Sequence, residues 1–554
     1  MGGYTPLDST DVIRFSGPFS VFKLASTKMG LVCLFFLFII AFSELVIGSY
    51  SGLIPSFLMK YITVLNKTAF RDTLIKFVYY TLLSVSVTSL KIWVSDRLCI
   101  LMRKKISEEL HDKYMRENAF YDLLIRDSQI DNPDARITQD VANWAQSFVS
   151  IITKLTQTPS IVIYYSYLTY KDFSWKALII CYLFTLLSFF ISKLVMKPLI
   201  KLTYLFEKAN GDFRLAHISL KENAETVALS QGQNTEAKLL SNRLSQVIGY
   251  QKQLANKSTF MNAVTNSFQY FGNGLVYLCI YLCANKSLDP STLAEFTSRV
   301  SFEVIMLIMG LTSIMDVMQS YSKLCGYSAR IKELQCILDE HKNLVDSTSF
   351  GDHIEFDNVS IKQPSGNILI QDLSLSIEKG CSVFVTGPSG SGKSSLFRVL
   401  GHVWPTTAGK VITPVSSPSS LILLSQHPYL PLSSLVDAIS FPLESTEVSI
   451  ERVNDAMRFM GISHLALRPK ESWYVGLSPG EKQRIALCRI LVHRPSFALL
   501  DEATSAIPRV LEEAIFMQFM KYGITCITIA HNRSLKRFHA KSLKLQGEGE
   551  YRIE

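Results

Sequence analysis

Six apolar runs fill the first three-fifths of the chain, near residues 30–58, 73–100, 147–170, 177–197, 262–284 and 294–320. A helix needs about 20 mainly apolar residues to cross a bilayer, so the pattern predicts six membrane helices. The first run, "GLVCLFFLFIIAFSELVIGSY", and the fourth are too long and too apolar for helices of a soluble core. Polar residues break the second, third and sixth, which predicts helices that line a water-filled path or pack on one another. Short loops follow the first, third and fifth runs. Long charged stretches, about 101–146 and 198–261, follow the second and fourth and read as helices continuing beyond the bilayer. An even number of spans puts both chain ends on one side. The basic flanks "RKKISEEL" and "KLVMKPLIKL" make that side cytosolic.

The pattern changes past a linker at 340–351. "HIEFDNVSI" and "NILIQDLSLSIEKGCSVFVTGPSG" are short strand-like runs, and helical and strand-like segments alternate after them. This predicts an α/β domain with a mainly parallel sheet. The expected organisation is therefore a cytosolic segment over 1–27, a membrane domain with long cytosolic extensions over 28–339, the linker, and an α/β domain over 352–554. Residues 1–27 carry no apolar core of signal-peptide type, so the first run is expected to stay as an anchor.

Composition adds three points. Hydrophobic residues make up 48% of the chain against 19% charged, as expected if the excess lies in membrane segments. The formal net charge of +9 sits largely beside apolar runs, which fits helix flanks and not a groove for nucleic acid. The ten cysteines include no C-x-x-C pair, so neither a disulfide framework nor a zinc site is indicated; Cys279 and Cys283 are read as packing residues.

The chemistry begins at "VFVTGPSGSGKSSLFRVL". A β-type run leads into Gly387, Pro388, Ser389, Gly390, Ser391, Gly392, Lys393, Ser394 and Ser395, and a helix follows. This is a G-x-x-x-x-G-K-[ST] loop in its strand–loop–helix setting. Its glycines let backbone N–H groups wrap a phosphate, Lys393 brings charge to the terminal phosphates, and the Ser394 hydroxyl can ligate Mg²⁺. In "SFALLDEATSA" an apolar strand ends at Asp501, placed to hold Mg²⁺, and Glu502 is placed to polarise an attacking water. "GLSPGEKQR" reads as a capped helix start: Ser478 at the N-cap, Pro479 at the first position, and Glu481 closing the box. Such a start gathers free N–H groups and partial positive charge.

Taken in order, the phosphate loop, "LLSQHPYL", "LSPGEKQR", "ALLDEATSA" and "ITIAH" resemble the ATPase of ABC transporters. The resemblance implies that Ser478 and Gly480 meet the γ-phosphate of ATP held by a second chain. It implies that Gln426 senses Mg²⁺ and the γ-phosphate, and that His531 supports the attacking water. One set of motifs resembles a half-transporter, which works as a homodimer or with a related partner. "DNPDARITQDV" and "FRLAHISLKENAETVALSQGQNTE" are similar to blocks of subfamily D, the peroxisomal and lysosomal half-transporters. "LSPGE" and the short N-terminus lean toward the lysosomal cobalamin-exporter branch. The implied cofactors are ATP and Mg²⁺, and the implied cargo is an amphiphilic or cofactor-type small molecule. Import of long-chain acyl-CoA into peroxisomes is the alternative. A membrane regulator that binds ATP without net transport is a reading of another class, against which the intact Glu502 and His531 count.

The sequence departs from the family where Ser505-Ala506-Ile507-Pro508 replaces S-A-L-D, and where Gln363 stands near the usual adenine-stacking aromatic. Glu44, Glu303 and Asp316 are carboxylates within apolar runs, open to either a cavity or a structural pair. Asp134 and Glu225 belong to the cytosolic blocks and are assigned to coupling. Asn66 and Asn285 are glycosylation sequons in loops expected outside the cytosol.

Overall fold

The computed structural model describes residues 28–123, 132–172, 175–283, 290–340, 348–363, 367–415, 417–469, 472–547 and 549–554. The N-terminal segment, the Asn285 sequon and most of the linker fall outside them. The chain forms two compact units, and the unit boundary at the end of the long helices falls between Asp339 and Glu340.

The first unit is built on six long helices: α1 (Lys28–Thr63), α2 (Lys67–Met115), α3 (Val141–Asp172), α4 (Trp175–Glu222), α5 (Gln233–Cys283) and α6 (Pro290–Glu340). All six predicted spans are helical over their described residues. Helices Lys28–Thr63, Lys67–Met115 and Thr292–Asp339 are long and apolar enough to cross a membrane, and Trp175–Ile191 is a shorter apolar helix. Along α1, Phe35, Phe38 and Phe42 lie exposed on the unit's surface, as a lipid-facing helix requires. Asn66 ends the α1–α2 turn as the N-cap of α2, accepting from the Ala69 N–H at 3.2 Å.

The polar residues that weaken the third and sixth runs sit between helices. Helices α3 and α6 pack antiparallel, and each step along one is matched by a step back along the other. Trp144 donates to Ser328 at 2.9 Å, Lys154 meets Asp316 at 3.2 Å, and the Thr158 and Ser313 hydroxyls lie 2.8 Å apart. A Cβ on Gly310 would lie 2.7 Å from Ile161, so a larger residue would push the helices apart there. Further along, Tyr165 stacks edge-on against Phe302, and Arg299 reaches Asp172 at 3.8 Å.

The second unit holds two sheets. A four-stranded sheet runs in the order β1 (Thr348–Phe350), β5 (Ala408–Thr413), β2 (Ile354–Lys362), β3 (Ile368–Ile377). The six-stranded sheet runs β10 (Glu550–Ile553), β9 (Lys541–Gly547), β4 (Val383–Thr386), β8 (Thr525–Ile529), β7 (Phe497–Asp501), β6 (Leu421–Leu424). It is parallel except for the edge strand β10. Strands β4, β7 and β8 read as unbroken apolar runs because both faces are covered. One core, with Val385, Phe397 and Leu499, lies on the side of helix α7 (Lys393–Leu400). The other, with Met457, Trp473, Ile485 and Phe516, gathers helices α8 (Leu435–Ser440), α9 (Ile450–Phe459), α10 (Pro479–His493) and α11 (Arg509–Lys521).

Register does the rest. Val385 and Asp501 both pair with Ile529, so the carboxyl ends of β4, β7 and β8 finish together. In open parallel sheets that edge is where ligands bind.

Candidate functional site

The loop after β4 is the phosphate cradle. Gly392 has φ +98°, a conformation that L side chains rarely adopt, and caps α7. Gly387 lies so close to the Leu545 carbonyl and the Ser391 hydroxyl that no Cβ fits. Ser389 and Gly390 are exposed at the tip, whereas Ser391 and Ser395 are buried. Lys393 folds back over the loop, and Nζ donates to the carbonyls of Gly387 and Pro388, each at 2.8 Å. The buried Ser391 hydroxyl has no hydrogen-bond partner among the described residues. A backbone concavity at a helix start, an ammonium above it and an orphan hydroxyl make an anion site, and they fit a nucleotide phosphate.

Asp501 ends β7 beside this loop. Burial pushes its carboxyl above the ordinary carboxylate value, and the Ser394 hydroxyl hydrogen-bonded to it works in the opposite direction. A half-buried carboxylate against a loop serine is a donor set for a hard divalent cation.

Glu502, the next residue, has φ +50°, unusual for a side chain of that size. Its N–H donates to the Ile529 carbonyl at 2.9 Å, which locks it to the end of β8. One carboxylate oxygen accepts from Gln426 Nε2 at 2.9 Å, and the other lies 3.0 Å from His531 Nε2. Gln426 and Glu502 are 76 positions apart along the chain, yet the fold brings them together by a hydrogen bond and sets His531 beside the same carboxylate. Gln426 and His531 are exposed, and Glu502 is largely covered between them, at 19% side-chain exposure.

Helix α10 begins as its sequence predicts. The Ser478 side chain accepts from the Glu481 N–H at 3.2 Å, and Glu481 accepts from the Ser478 N–H at 2.8 Å. The Ser478 backbone N–H holds the Glu481 carboxyl far below its usual range, at about 2, with the Ser478 hydroxyl, His464 and Arg468 adding to it. His464 Nε2 lies 3.1 Å from Glu481, and Arg468 pins the carbonyls of Trp473 and Val475 before the turn.

The sequence reading missed Gln483, one turn into α10. Its amide donates to Ser505 Oγ at 3.0 Å and accepts from the Ala506 N–H at 2.8 Å. Gly480 packs on the Ala506 carbonyl so closely that a Cβ would lie 2.8 Å from it. The departing "SAIP" stretch is therefore tied to the capped helix through its backbone, which the loss of an aspartate does not affect. A Gln at the i+5 position after an N-cap serine was the available signal.

Gln363 ends the β2 side of a loop whose residues 364–366 are outside the described set. Of the membrane carboxylates, Glu44 accepts from Lys91 at 2.6 Å and 2.8 Å, from Gln157 at 3.2 Å and from Thr88 at 3.2 Å. It is a structural pair joining α1, α2 and α3. Glu303 is buried inside the bundle, and neither of its oxygens has a hydrogen-bond partner among the described residues. Asp316, paired with Lys154, remains half exposed. Asp134 meets Arg214 at 3.4 Å, and Glu225 is exposed in the first turn of the short helix Ala224–Leu229.

Comparison with known proteins agrees with this architecture. Residues 19–284 match the family described as ABC transporter transmembrane region 2, and residues 370–505 match the ABC transporter family. The chain is 31% identical over 543 residues to the lysosomal cobalamin transporter ABCD4 of Homo sapiens, covering 91% of this chain and 89% of that protein. It is 27% identical to ABC transporter D family member 3 of Dictyostelium discoideum, over 92% of this chain and 84% of that one. The solved structure of a bacterial Atm1-family ABC exporter with ATP bound superposes with a TM-score of 0.73 at 18% identity, covering 92% of this chain and 94% of that chain. The exporter fold, the ATPase motifs and the full-length similarity agree: the chain belongs to the ABC transporters of subfamily D, half-transporters whose ATPase domain hydrolyses ATP to drive transport.

Proposed function

We propose that this half-transporter pairs with a second copy or a close relative and exports cobalamin from the lysosome, with its ATPase domain in the cytosol. The observation that carries the cargo is the 31% identity to a lysosomal cobalamin transporter along nearly the whole chain. Import of long-chain acyl-CoA into peroxisomes is the second reading, favoured by the 27% identity to other subfamily D members.

In the proposed cycle the Gly387–Ser395 loop and Lys393 hold the phosphates of one ATP, and the Ser478 turn with Gly480 of the other chain closes on them. Mg²⁺, when bound, supplies charge neutralisation at the phosphates, and Ser394, Gln426 and Asp501 are the side chains that would hold it. Glu502 takes a proton from water as the water oxygen bonds to the γ-phosphorus and the bond to the bridging oxygen breaks, releasing ADP and phosphate, and His531 and Gln426 orient the carboxylate. ATP drives the change only because the closed state binds it more tightly than the open one.

The test of cargo and compartment uses lysosome-derived vesicles holding the tagged chain. ATP-dependent loss of labelled cyanocobalamin from the vesicle lumen supports the reading. Absence of that flux, together with peroxisomal localisation and an Asn66 without glycan, overturns it.

A further inference from the structure

The motif of the cytosolic block at 131–141 does not by itself say how the block acts mechanically. In the structure its last residues, Arg136–Asp140, form a widened π-type helical turn leading into α3. Such turns recur at functional positions because they re-aim side chains. Arg136 and Asp140 are four apart with opposite charge, and each is tied to α6. Arg136 Nη1 donates to Glu333 at 2.6 Å and to the Arg330 carbonyl at 3.0 Å. Arg330 Nε donates to Asp140 at 2.6 Å. Arg330 thus serves both pairs, one through its backbone and one through its side chain. The Trp144 bond to Ser328, one turn further on, extends the same antiparallel register.

The contact is covered on the side of the π-type turn and open at Glu333. The Arg136 side chain is 4% exposed and that of Asp140 12%. Charges so placed are tolerated only while they are compensated, so reversing one partner sets like charges against each other. The interlocked geometry therefore resists sliding of α3 along α6, because any one-residue shift breaks both pairs together. Helix α6 continues to Glu340, where the ATPase unit begins in the chain.

We infer that the interlocked pairs Arg136–Glu333 and Asp140–Arg330 clamp the inner end of α3 to α6, so that a nucleotide-driven movement of α6 is carried along α3 to its outer end. These four are positioning residues for coupling, and they touch neither nucleotide nor cargo. The inference stands apart from cobalamin as the cargo, since its readout needs none.

The experiment uses the full-length protein in lipid nanodiscs with Tyr170→Cys, an exposed position at the outer end of α3. Its maleimide labelling rate is followed by mass spectrometry of that peptide, with and without the non-hydrolysable analogue AMP-PNP. With the clamp intact, AMP-PNP changes the rate about fivefold or more. Asp140→Arg or Arg330→Asp abolishes that change while fluorescent ATP still binds, and the double reversal Asp140→Arg/Arg330→Asp restores it. Glu333→Gln, at the more exposed end, reduces the change and serves if the reversed single variants do not fold. A rate change that persists in full in Asp140→Arg or Glu333→Gln overturns the clamp. So does a double reversal no better than either single variant, or a protein with the clamp intact whose labelling at the introduced thiol ignores AMP-PNP.

Discussion

The amide of Gln426 donates to Glu502 at 2.9 Å, and it takes the carboxylate oxygen that His531 leaves free. One oxygen of the candidate base therefore carries a donor, and the other has the His531 imidazole beside it at 3.0 Å. A water polarised by Glu502 has to share the carboxylate with Gln426 and His531. Glu502→Gln keeps this hydrogen-bonding shape and removes the base. ATP turnover is expected to fall about a hundredfold or more, while ATP binding, read by a fluorescent analogue, persists. Full turnover in that variant would remove Glu502 from its role.

Ser478 tests the two-chain site. Its hydroxyl is held at the start of α10 by the Glu481 N–H and carboxylate, beside the free N–H groups of the first turn, and an arginine there adds bulk and charge where the partner's phosphates are expected. Ser478→Arg should block hydrolysis in the purified dimer without unfolding it. Ser478→Ala should cost about 1 kcal/mol of helix-cap stability and reduce turnover less. Unchanged hydrolysis in the arginine variant would argue against a shared site.

Gln483 holds the capped helix to the segment after Glu502. Gln483→Ala leaves the Ala506 N–H without its side-chain acceptor and Ser505 without its donor. We expect a loss of about 1–3 kcal/mol in the ATPase domain, seen in thermal melting, with a slower turnover and unchanged ATP affinity. An equal loss of affinity would show that Gln483 acts through the phosphate loop instead.

These sites mark what the sequence made legible. The phosphate loop and the Ser478 box are local: every atom that makes them work lies within a few residues, so motif and geometry coincide. Glu502 and its neighbours were legible through the order of the motifs, but their direct contacts were not, because strand register brings the partners together. The same limit explains Glu44. As a lone carboxylate in an apolar run it had two readings, and only the position of Lys91, 47 residues on, decides for a pair. Gln483 was passed over because glutamines are common on helices, and its partner lies on a separate turn.

The Glu44–Lys91 pair is itself testable. Both side chains are mostly covered, at 16% and 19% exposure. Lys91→Met leaves the Glu44 charge with only the neutral donors Thr88 and Gln157 and should destabilise the membrane domain by about 3 kcal/mol, read as a lower unfolding temperature in detergent. Adding Glu44→Gln should recover most of that loss, because the stranded charge is gone. If the double variant is no more stable than Lys91→Met, the uncompensated Glu44 charge is not the cause of the loss.

Acid should weaken the ATPase domain. Burial holds His402, His493 and His539 below their ordinary value of 6.5, and His539 is tied on both ring nitrogens, to the Leu535 carbonyl and the Thr528 hydroxyl. In the unfolded chain these rings take up protons as pH falls below 6.5, while the folded domain keeps them neutral. The unfolded state then binds more protons, so stability declines with falling pH. It is fully present above 6.5 and is lost as pH drops through the folded values. Glu481 adds a loss of the same sign only in the window from 4.5 down to about 2. Asp501 works the other way, since its raised value means that the folded state gains protons first, in a window above 3.8. Three histidines against one aspartate predict a net fall in melting temperature between about pH 7 and pH 5.5, roughly one proton per ring at most. His539→Gln, which keeps a donor and an acceptor without titrating, should flatten that decline. A melting temperature that holds constant down to about pH 5.5 in the unaltered protein would mean the rings are not buried as neutral groups.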